Sequence, residues 1–214
     1  MKVSEFTIEP VHKRAVTSFI EKWHYSHYAG GIQHKQCFAL YSPDGPFGLP
    51  RMIGCMIYGQ PAMPETAAKY HPDNPLRCWE LRRLCCIDDT PTNTESFFIG
   101  KTLRWLKQNT DTEVIISYSD LEQGHEGVVY KASNFINLGQ TGGGKVLIVD
   151  GKQYHPRSLN NIHRPYGRAL KRRWDAKQAG NKDDGMYFSD TKPKNIYVYY
   201  LNKKVKKKMM KWYL

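Results

Sequence analysis

The chain has 214 residues, of which 40% are hydrophobic and 13% aromatic, and its formal net charge is +12. This composition excludes a mainly disordered chain, and no apolar run approaches the ~18 residues of a membrane-spanning helix. The first residues lack the apolar region of a secretion signal, so we expect a soluble, cytoplasmic protein built as one medium domain.

The N-terminal part of the chain alternates between strand and helix patterns. A strand is predicted over 2–9, and a helix after Pro10 repeats its apolar residues with the 3.6-residue period of one buried face. Two further strands, Gln36–Tyr41 and Met52–Tyr58, flank a Pro/Gly-rich turn and predict a hairpin. The prolines between 59 and 76 predict a loop.

The middle of the chain predicts a parallel strand pair. A strand over Cys78–Ile87 precedes a helix that begins with Thr92 and Glu95 at capping-box spacing. Val114–Ile116 is a short apolar strand of the kind that parallel sheets bury on both faces. The remaining predicted elements are a helix after Gly124, strands Phe135–Leu138 and Lys145–Val149, an irregular basic stretch over 151–195, a last strand Ile196–Leu201 and a lysine-rich tail. This order indicates an α/β (or α+β) fold with a mixed sheet and helices on both faces.

Three sequence patterns bear on metal or phosphate binding. The cysteines form no Cys-x-x-Cys pair, which favours reduced, buried thiols over a zinc site or a disulfide framework. His71-x-Asp73 is half of an iron-binding triad but lies in the proline-rich loop, so iron is unsupported and we predict no metal site. Gly139–Lys145 nearly matches a phosphate-binding loop, yet it leads into a strand and predicts a hairpin turn.

The positive charge lies in the C-terminal part of the chain. Residues 152–214 hold 17 of the 32 Lys and Arg but 4 of the 20 Asp and Glu. Such clustering is typical of a nucleic-acid-binding surface, with a solubilising tail as the alternative and a membrane surface less favoured. The candidate contacts are Arg164, Arg168, Lys171, Arg172, Arg173, Lys203, Lys204, Lys206, Lys207 and Lys208.

Asp120 and Tyr130 form a candidate catalytic pair. Asp120 follows the predicted parallel strand, and ligands bind at the carboxyl ends of such strands. Tyr130 falls in the next predicted helix, so a carboxylate and a phenol could act as general base and general acid in one crevice. Asp120 could equally cap the turn that follows, and Tyr130 could be a core aromatic.

Several segments resemble the phage Mom family, over about residues 24–160. They are His24–Ser26, Glu80–Leu84, Asn93–Ser96, Phe98–Gly100, Ser117–Asp120, Gly124–Phe135 and His155–Arg157. The resemblance implies DNA hypermodification in the host cytoplasm, in which a carbamoylmethyl (glycinamide-like) group on adenine N6 protects phage DNA from restriction. It also implies a GNAT-like catalytic domain over 1–150, with a splayed central parallel strand pair in a mostly antiparallel sheet. Residues 151–214 would be a basic extension packed on that domain and contacting double-stranded DNA.

The same resemblance assigns site residues by position. The expected catalytic residues are Asp120, Tyr130 and Arg82, although Arg82 could equally form a cross-strand pair with Glu80. The expected substrate or donor pocket comprises His27, Tyr25, Asn93, Ser96 and His125.

The donor molecule is left open by the sequence. GNAT enzymes bind the coenzyme A pyrophosphate on a glycine-rich loop at a helix start, whereas Asp88–Glu95 contains no glycine and three carboxylates. Those charges favour the helix dipole but repel a pyrophosphate. An activated glycyl group, for example on transfer RNA, therefore stands beside acetyl-coenzyme A as a candidate donor.

Two rival functions use the same fold. One is a non-catalytic DNA-binding protein, and the other is a GNAT acyltransferase acting on a protein or a small molecule.

Overall fold

A computed structural model describes residues 2–213. Their helices are α1 (Lys13–Trp23), α2 (Pro64–Tyr70), α3 (Thr94–Asn109), α4 (Val128–Ala132), α5 (Pro165–Gln178) and α6 (Lys203–Tyr213). Their strands are β1 (Thr7–Val11), β2 (His34–Ser42), β3 (Arg51–Gly59), β4 (Cys78–Cys86), β5 (Val114–Asp120), β6 (Ile136–Gln140), β7 (Gly144–Val149), β8 (Lys152–Tyr154), β9 (Met186–Thr191) and β10 (Lys194–Tyr200).

A seven-stranded sheet organises most of the chain, in the order β1-β2-β3-β4-β5-β10-β6. Strands β1 to β4 pair antiparallel with their neighbours, whereas β4 and β5 pair parallel. The predicted mixed, mostly antiparallel sheet with a central parallel pair is confirmed.

Helices cover both faces of this sheet because its strands bury alternate residues on opposite sides. Phe38 on β2 packs in a cluster with Phe98 and Leu103 of α3. The next residue along, Ala39, packs in a second cluster with Val16 and Ile20 of α1. The apolar stripe predicted for the first helix therefore faces the sheet.

The chain divides into two compact units. Among the described residues, unit 1 comprises 2–119, Gly127–Gly139 and 196–213, and unit 2 comprises Asp120–Glu126 and Gln140–Asn195. The basic C-terminal region is thus shared, since α5 belongs to unit 2 and α6 to unit 1.

Unit 2 has its own antiparallel sheet, in the order β8-β7-β9, and its own core. Leu170 of α5 packs in this core with Leu147, Leu159 and Met186. The predicted irregular structure over 151–195 is therefore wrong for much of that stretch.

Two further local predictions are corrected. The predicted loop over 59–76 contains α2, which begins at Pro64, a position where the missing N–H of proline costs nothing. The lysine-rich tail is helix α6, whose Met209 is buried in a core cluster of unit 1.

Within the described part of the chain, no helix is long and apolar enough to cross a membrane.

Candidate active site at the divergence of the parallel strands

The parallel pair of strands separates after three residues. The register is Cys78 to Val114, Trp79 to Ile115 and Glu80 to Ile116, and it stops there although both strands continue. The Ser117 hydroxyl donates to the Leu81 carbonyl at 3.2 Å, at the point where the separation begins. Side chains near Glu80 and Ser117 therefore border the gap between the two strands, the usual ligand-binding position in a sheet of this type.

A largely buried ion pair lies at this divergence. Arg82 Nη1 is 3.2 Å from Glu80 Oε2, and the exposed fractions of the two side chains are 18% and 14%. Burial raises the pKa of the Glu80 carboxyl above its ordinary value, although Arg82 and the Ala62 backbone N–H oppose the shift. A carboxylate whose pKa is moved toward neutrality suits general base chemistry.

Arg82 holds an unsatisfied donor. Its Nε is buried and has no hydrogen-bond partner among the described residues. A buried N–H without an acceptor is costly in a folded protein, and here it belongs to a cationic group. The arrangement fits a substrate oxygen that carries or develops negative charge.

Two tyrosines flank the divergence. Burial raises the pKa of Tyr118, with Tyr70 and Glu80 adding to the shift, so this phenol stays protonated beside the carboxylate. Burial also raises the pKa of Tyr130 to about 12, although the neighbouring Ser117 hydroxyl opposes the shift.

The loop after α1 supplies an aromatic side chain to the same region. Tyr25 is 46% exposed and lies near enough to Arg83 and Tyr130 to affect their titration. The loop is held by Arg83, whose guanidinium donates to the Tyr28 carbonyl at 3.3 and 3.4 Å. His27 Nδ1 lies 2.9 Å from the Glu21 carbonyl, which ties the predicted pocket residue to α1.

Asp120, the predicted base, is engaged within unit 2. Its Oδ1 accepts from the Glu122 backbone N–H at 3.1 Å, and its Oδ2 lies 2.7 Å from Lys194 Nζ. The carbonyl of Asp120 also accepts from the backbone N–H of His125, the other predicted residue of this segment. These contacts match the alternative in which Asp120 caps the turn that follows it.

The start of α3 differs from the predicted capping box. The N-cap is Asn93, in the left-handed conformation (φ 71°), and its side chain caps no N–H. The hydroxyl of Ser96 donates back to the Asn93 carbonyl at 3.1 Å. The predicted box of Thr92 and Glu95 is therefore wrong, because the helix begins one residue after the position that this box requires.

The surroundings of this helix start do not fit a coenzyme A pyrophosphate. The helix carries Glu95 and no basic residue in its first turn. Asp88 and Glu95 both lie close enough to Cys85 to raise its pKa, to about 11 together with burial. Carboxylates gathered at this position oppose a bound diphosphate.

Among residues 2–213, no group of three or more His, Cys, Asp or Glu side chains could hold a metal ion.

The residues predicted to bind nucleic acid differ in the ion pairs that they form within the protein. Arg173 is engaged by Asp150 and Asp183, with four nitrogen–oxygen distances from 2.5 to 2.9 Å, so we assign it to the fold of unit 2. Lys208 is paired with Asp73 at 2.6 Å in unit 1. Lys171 is paired with Asp175 along α5 but is partly exposed.

Comparison with known proteins decides the family. Residues 5–213 match the Mom protein family. The chain belongs to the Mom family. A relative described as "Methylcarbamoylase mom", from Escherichia phage Mu, is 28% identical to this Mom-family protein over 167 residues. That alignment covers 77% of this chain and 66% of the relative, so the chain spans about two thirds of the length of the curated relative that it matches.

Solved structures show the fold of this Mom-family chain. The spermidine/spermine N-acetyltransferase SpeG from Vibrio cholerae, solved with manganese ions, has a TM-score of 0.50 at 10% identity and covers 96% of this chain and 98% of its own. Mutant forms of the same enzyme give a TM-score of 0.50 at 9% identity and cover 94% and 98%. The Mom-family chain therefore has a GNAT acetyltransferase fold, as predicted.

Sequence reasoning recognised Arg82 but treated Glu80 only as its structural partner. The available signal was a carboxylate two residues before an arginine in an otherwise apolar strand that leads into the divergence. The distinguishing property of Glu80 is burial against Ala62, Arg82 and Tyr118, which come from separate segments.

Proposed function

We propose that this Mom-family protein is a phage DNA-modification transferase that adds a carbamoylmethyl group to adenine N6. The largely buried Glu80–Arg82 pair is the observation that carries the chemical part of the proposal, because Arg82 Nε has no hydrogen-bond partner among residues 2–213. Family membership and the name of the phage Mu relative support the reaction class. The exposed basic helices α5 and α6 support a nucleic-acid substrate.

The proposed first step is acyl transfer to the exocyclic amine. Adenine N6 is a weak nucleophile because its lone pair is delocalised into the ring, so deprotonation by a base assists attack. Glu80 accepts the N6 proton as N6 forms a bond to the activated carbonyl carbon of a glycyl donor. The bond to the leaving group breaks, and the leaving group departs with the electron pair and takes its proton from Tyr118.

Arg82 stabilises the oxyanion in this step. The carbonyl oxygen gains negative charge in the tetrahedral transition state, and the Nε–H of Arg82 is a pre-positioned cationic donor in a poorly solvated site. Tyr130, buried beside Ser117, acts as a positioning residue at the divergence. The resulting N6-glycyl group has the same atoms as a carbamoylmethyl group, so an isomerisation with no further reactant completes the modification. In it the glycyl nitrogen bonds to the carbonyl carbon as the bond from that carbon to N6 breaks, and N6 then bonds to the methylene carbon as the methylene–nitrogen bond breaks.

The target base must leave the duplex. Adenine N6 is enclosed by stacked neighbours in a helix, and enzymes that react at a base extrude it into a pocket and stack it on aromatic rings. Tyr25 is the half-exposed ring beside this site. His27, Asn93, Ser96 and His125 stay proposed pocket residues by family resemblance.

The test is mass spectrometry of nucleosides from plasmid DNA isolated after expression. We expect a deoxyadenosine derivative heavier by one carbamoylmethyl group in the wild type. Arg82→Lys keeps the charge but loses Nε and should lower its yield by about 10²–10³-fold, the usual effect of removing one oxyanion donor. Arg77→Lys, at a partly exposed position just before the same strand, is the matched control and should keep the yield.

Unmodified deoxyadenosine with folded wild-type protein would reject the proposal. Full modification with Arg82→Lys would reject the role of Arg82. DNA binding without modification would favour the non-catalytic rival, and saturable acetyl-coenzyme A binding without an effect on DNA would favour the acyltransferase rival.

A further inference from the structure

Unit 2 fixes α5 against its small sheet at one face. Gly167 and Leu170 are the buried residues of the helix, and Leu170 packs in the core of unit 2. At Gly167 an added Cβ would lie 2.0 Å from the Asn161 carbonyl oxygen, so the helix is seated directly on the preceding turn. That turn follows the short 3-10 helix Pro156–Asn160, which gives a helix–turn–helix order.

Two basic residues of α5 further stabilise its packing in unit 2. Arg173 bonds Asp150, in the turn after β7, and Asp183, in the loop after α5. Lys177 Nζ donates to the carbonyls of Asp183 and Met186. These cations are used inside unit 2, and they fix the rotation of α5 about its axis.

The opposite face of α5 presents arginines in a row. Arg168 and Arg172 of α5 are exposed and lie four residues apart on one face of the helix. The exposed N-cap Arg164 precedes them by four residues, so the row is about 12 Å long. The guanidinium groups of Arg164 and Arg172 form no ion pair or hydrogen bond among the described residues. Arg168 uses only Nη1, on the carbonyls of Ile162 and His163, which orients its guanidinium. Small or short neighbours, Pro165 and Ala169, leave the row accessible.

The basic helix of unit 1 has a different composition. The exposed cations of α6 are lysines, and α6 contains no arginine. Lysine is a point charge that suits phosphates, whereas the planar fork of arginine also donates two hydrogen bonds to guanine O6 and N7.

From this contrast we infer that α5 reads the sequence around the target adenine by entering the major groove of duplex DNA, while α6 contacts phosphates without regard to sequence. The inference rests on the proposed function and adds the determinant of target choice. A row of about 12 Å spans three to four base pairs at 3.4 Å each. The major groove of B-DNA admits an α-helix, and the deep, narrow major groove of RNA does not.

The test is selection of bound duplexes from a randomised DNA library by the full chain, followed by sequencing. The variant Arg168→Lys/Arg172→Lys keeps the net charge and removes the guanidinium forks. We expect wild-type protein to enrich a motif containing guanine, and we expect the preference of the variant to fall by about 5–100-fold for each guanine that it no longer reads. Its affinity for random duplex should change little.

The matched control is Arg14→Lys/Arg104→Lys, which makes the same exchange at exposed positions on α1 and α3. It should enrich the wild-type motif, and circular dichroism establishes that both variants are folded. An unchanged motif in Arg168→Lys/Arg172→Lys, an equal change in the control, an absence of sequence preference in the wild type, or tighter binding to duplex RNA would each overturn the inference.

The nucleoside assay keeps this inference separate from the proposed function. A selected motif without any modified deoxyadenosine would reject the proposed function and would not contradict sequence recognition by α5. If the wild type and the α5 variant modified deoxyadenosine in the same sequence contexts, only the inference that α5 recognises sequence would be rejected.

Discussion

The Glu80–Arg82 pair of unit 1 and the arginines of α5 in unit 2 place similar charges in opposite environments. The pair at the strand divergence is largely buried, the pKa of Glu80 is raised, and Arg82 Nε has no partner among the described residues. On α5, Arg173 is satisfied by two aspartates, whose pKa values it lowers, while Arg168 and its neighbours in the row are exposed.

This difference distinguishes a site suited to catalysis, at the Glu80–Arg82 pair, from a surface suited to binding, on α5. A desolvated, incompletely satisfied pair has an altered proton affinity and a donor ready for a reacting oxygen. Exposed cations contribute affinity that depends on salt. Substitutions in the two regions should therefore differ in kind, with loss of chemistry in unit 1 and altered binding or local stability elsewhere.

The largest effect is expected at Glu80. Glu80→Gln removes the proposed base and should reduce the yield of modified deoxyadenosine by about 10²–10⁴-fold without weakening DNA binding. Asp120→Asn is the matched control, since Asp120 caps a turn and pairs with Lys194, and it should retain modification. The reverse pattern would return the base role to Asp120.

The second effect concerns the separate core of unit 2. Leu170→Ala removes a buried side chain and should cost about 2–5 kcal/mol. Hydrogen exchange should show reduced protection in β7, β9 and α5, with the sheet around β3 and β4 protected as before. A uniform reduction across both sheets would show that unit 2 has no separate core stability.

The third effect concerns the helix that carries Tyr130. Gly127, the N-cap of α4, has φ 75°, and a Cβ there would meet the Tyr197 ring at 2.4 Å. Gly127→Ala should therefore lower the free energy of unfolding by about 1–3 kcal/mol. Gly142→Ala is the control, because nothing lies within 4 Å of its added Cβ. Equal melting temperatures for the two variants would contradict the close packing described at Gly127.

The smallest effect is expected on α6. Lys206→Gln/Lys207→Gln should flatten the plot of log affinity against log salt by about 0.9 for each phosphate that the protein no longer neutralises, and it should leave sequence preference intact. Titrations of duplex DNA at several salt concentrations measure this slope. Parallel plots for variant and wild type would show that these lysines do not bind phosphates.

Local patterns were sufficient for much of the sheet. The hairpin of β2 and β3, the apolar strand β5 and helix α3 were predicted because apolar periodicity and turn residues are properties of neighbouring positions. Helix α2 was missed because four prolines in one segment usually indicate a loop, although Pro64 stands at a helix start.

The site was less predictable than the sheet. Asp120 and Tyr130 were chosen for their positions in the chain, but the chemistry of each depends on contacts with distant residues, namely Lys194 for Asp120 and Ser117 for Tyr130. Glu80 owes its raised pKa to burial by separate segments. Such long-range burial has no local signature in one sequence.

The pH dependence of the modification rate tests the central claim most directly, that Glu80 is the base. A base acts when deprotonated, and the pKa of Glu80 is raised, so the rate should fall with decreasing pH through a midpoint above the ordinary value of 4.5. This acidic limb should be present in wild-type protein and in Asp120→Asn, and absent from the residual rate of Glu80→Gln, with fluorescence establishing that the protein stays folded. An unchanged limb in Glu80→Gln, or its disappearance in Asp120→Asn, would contradict the account.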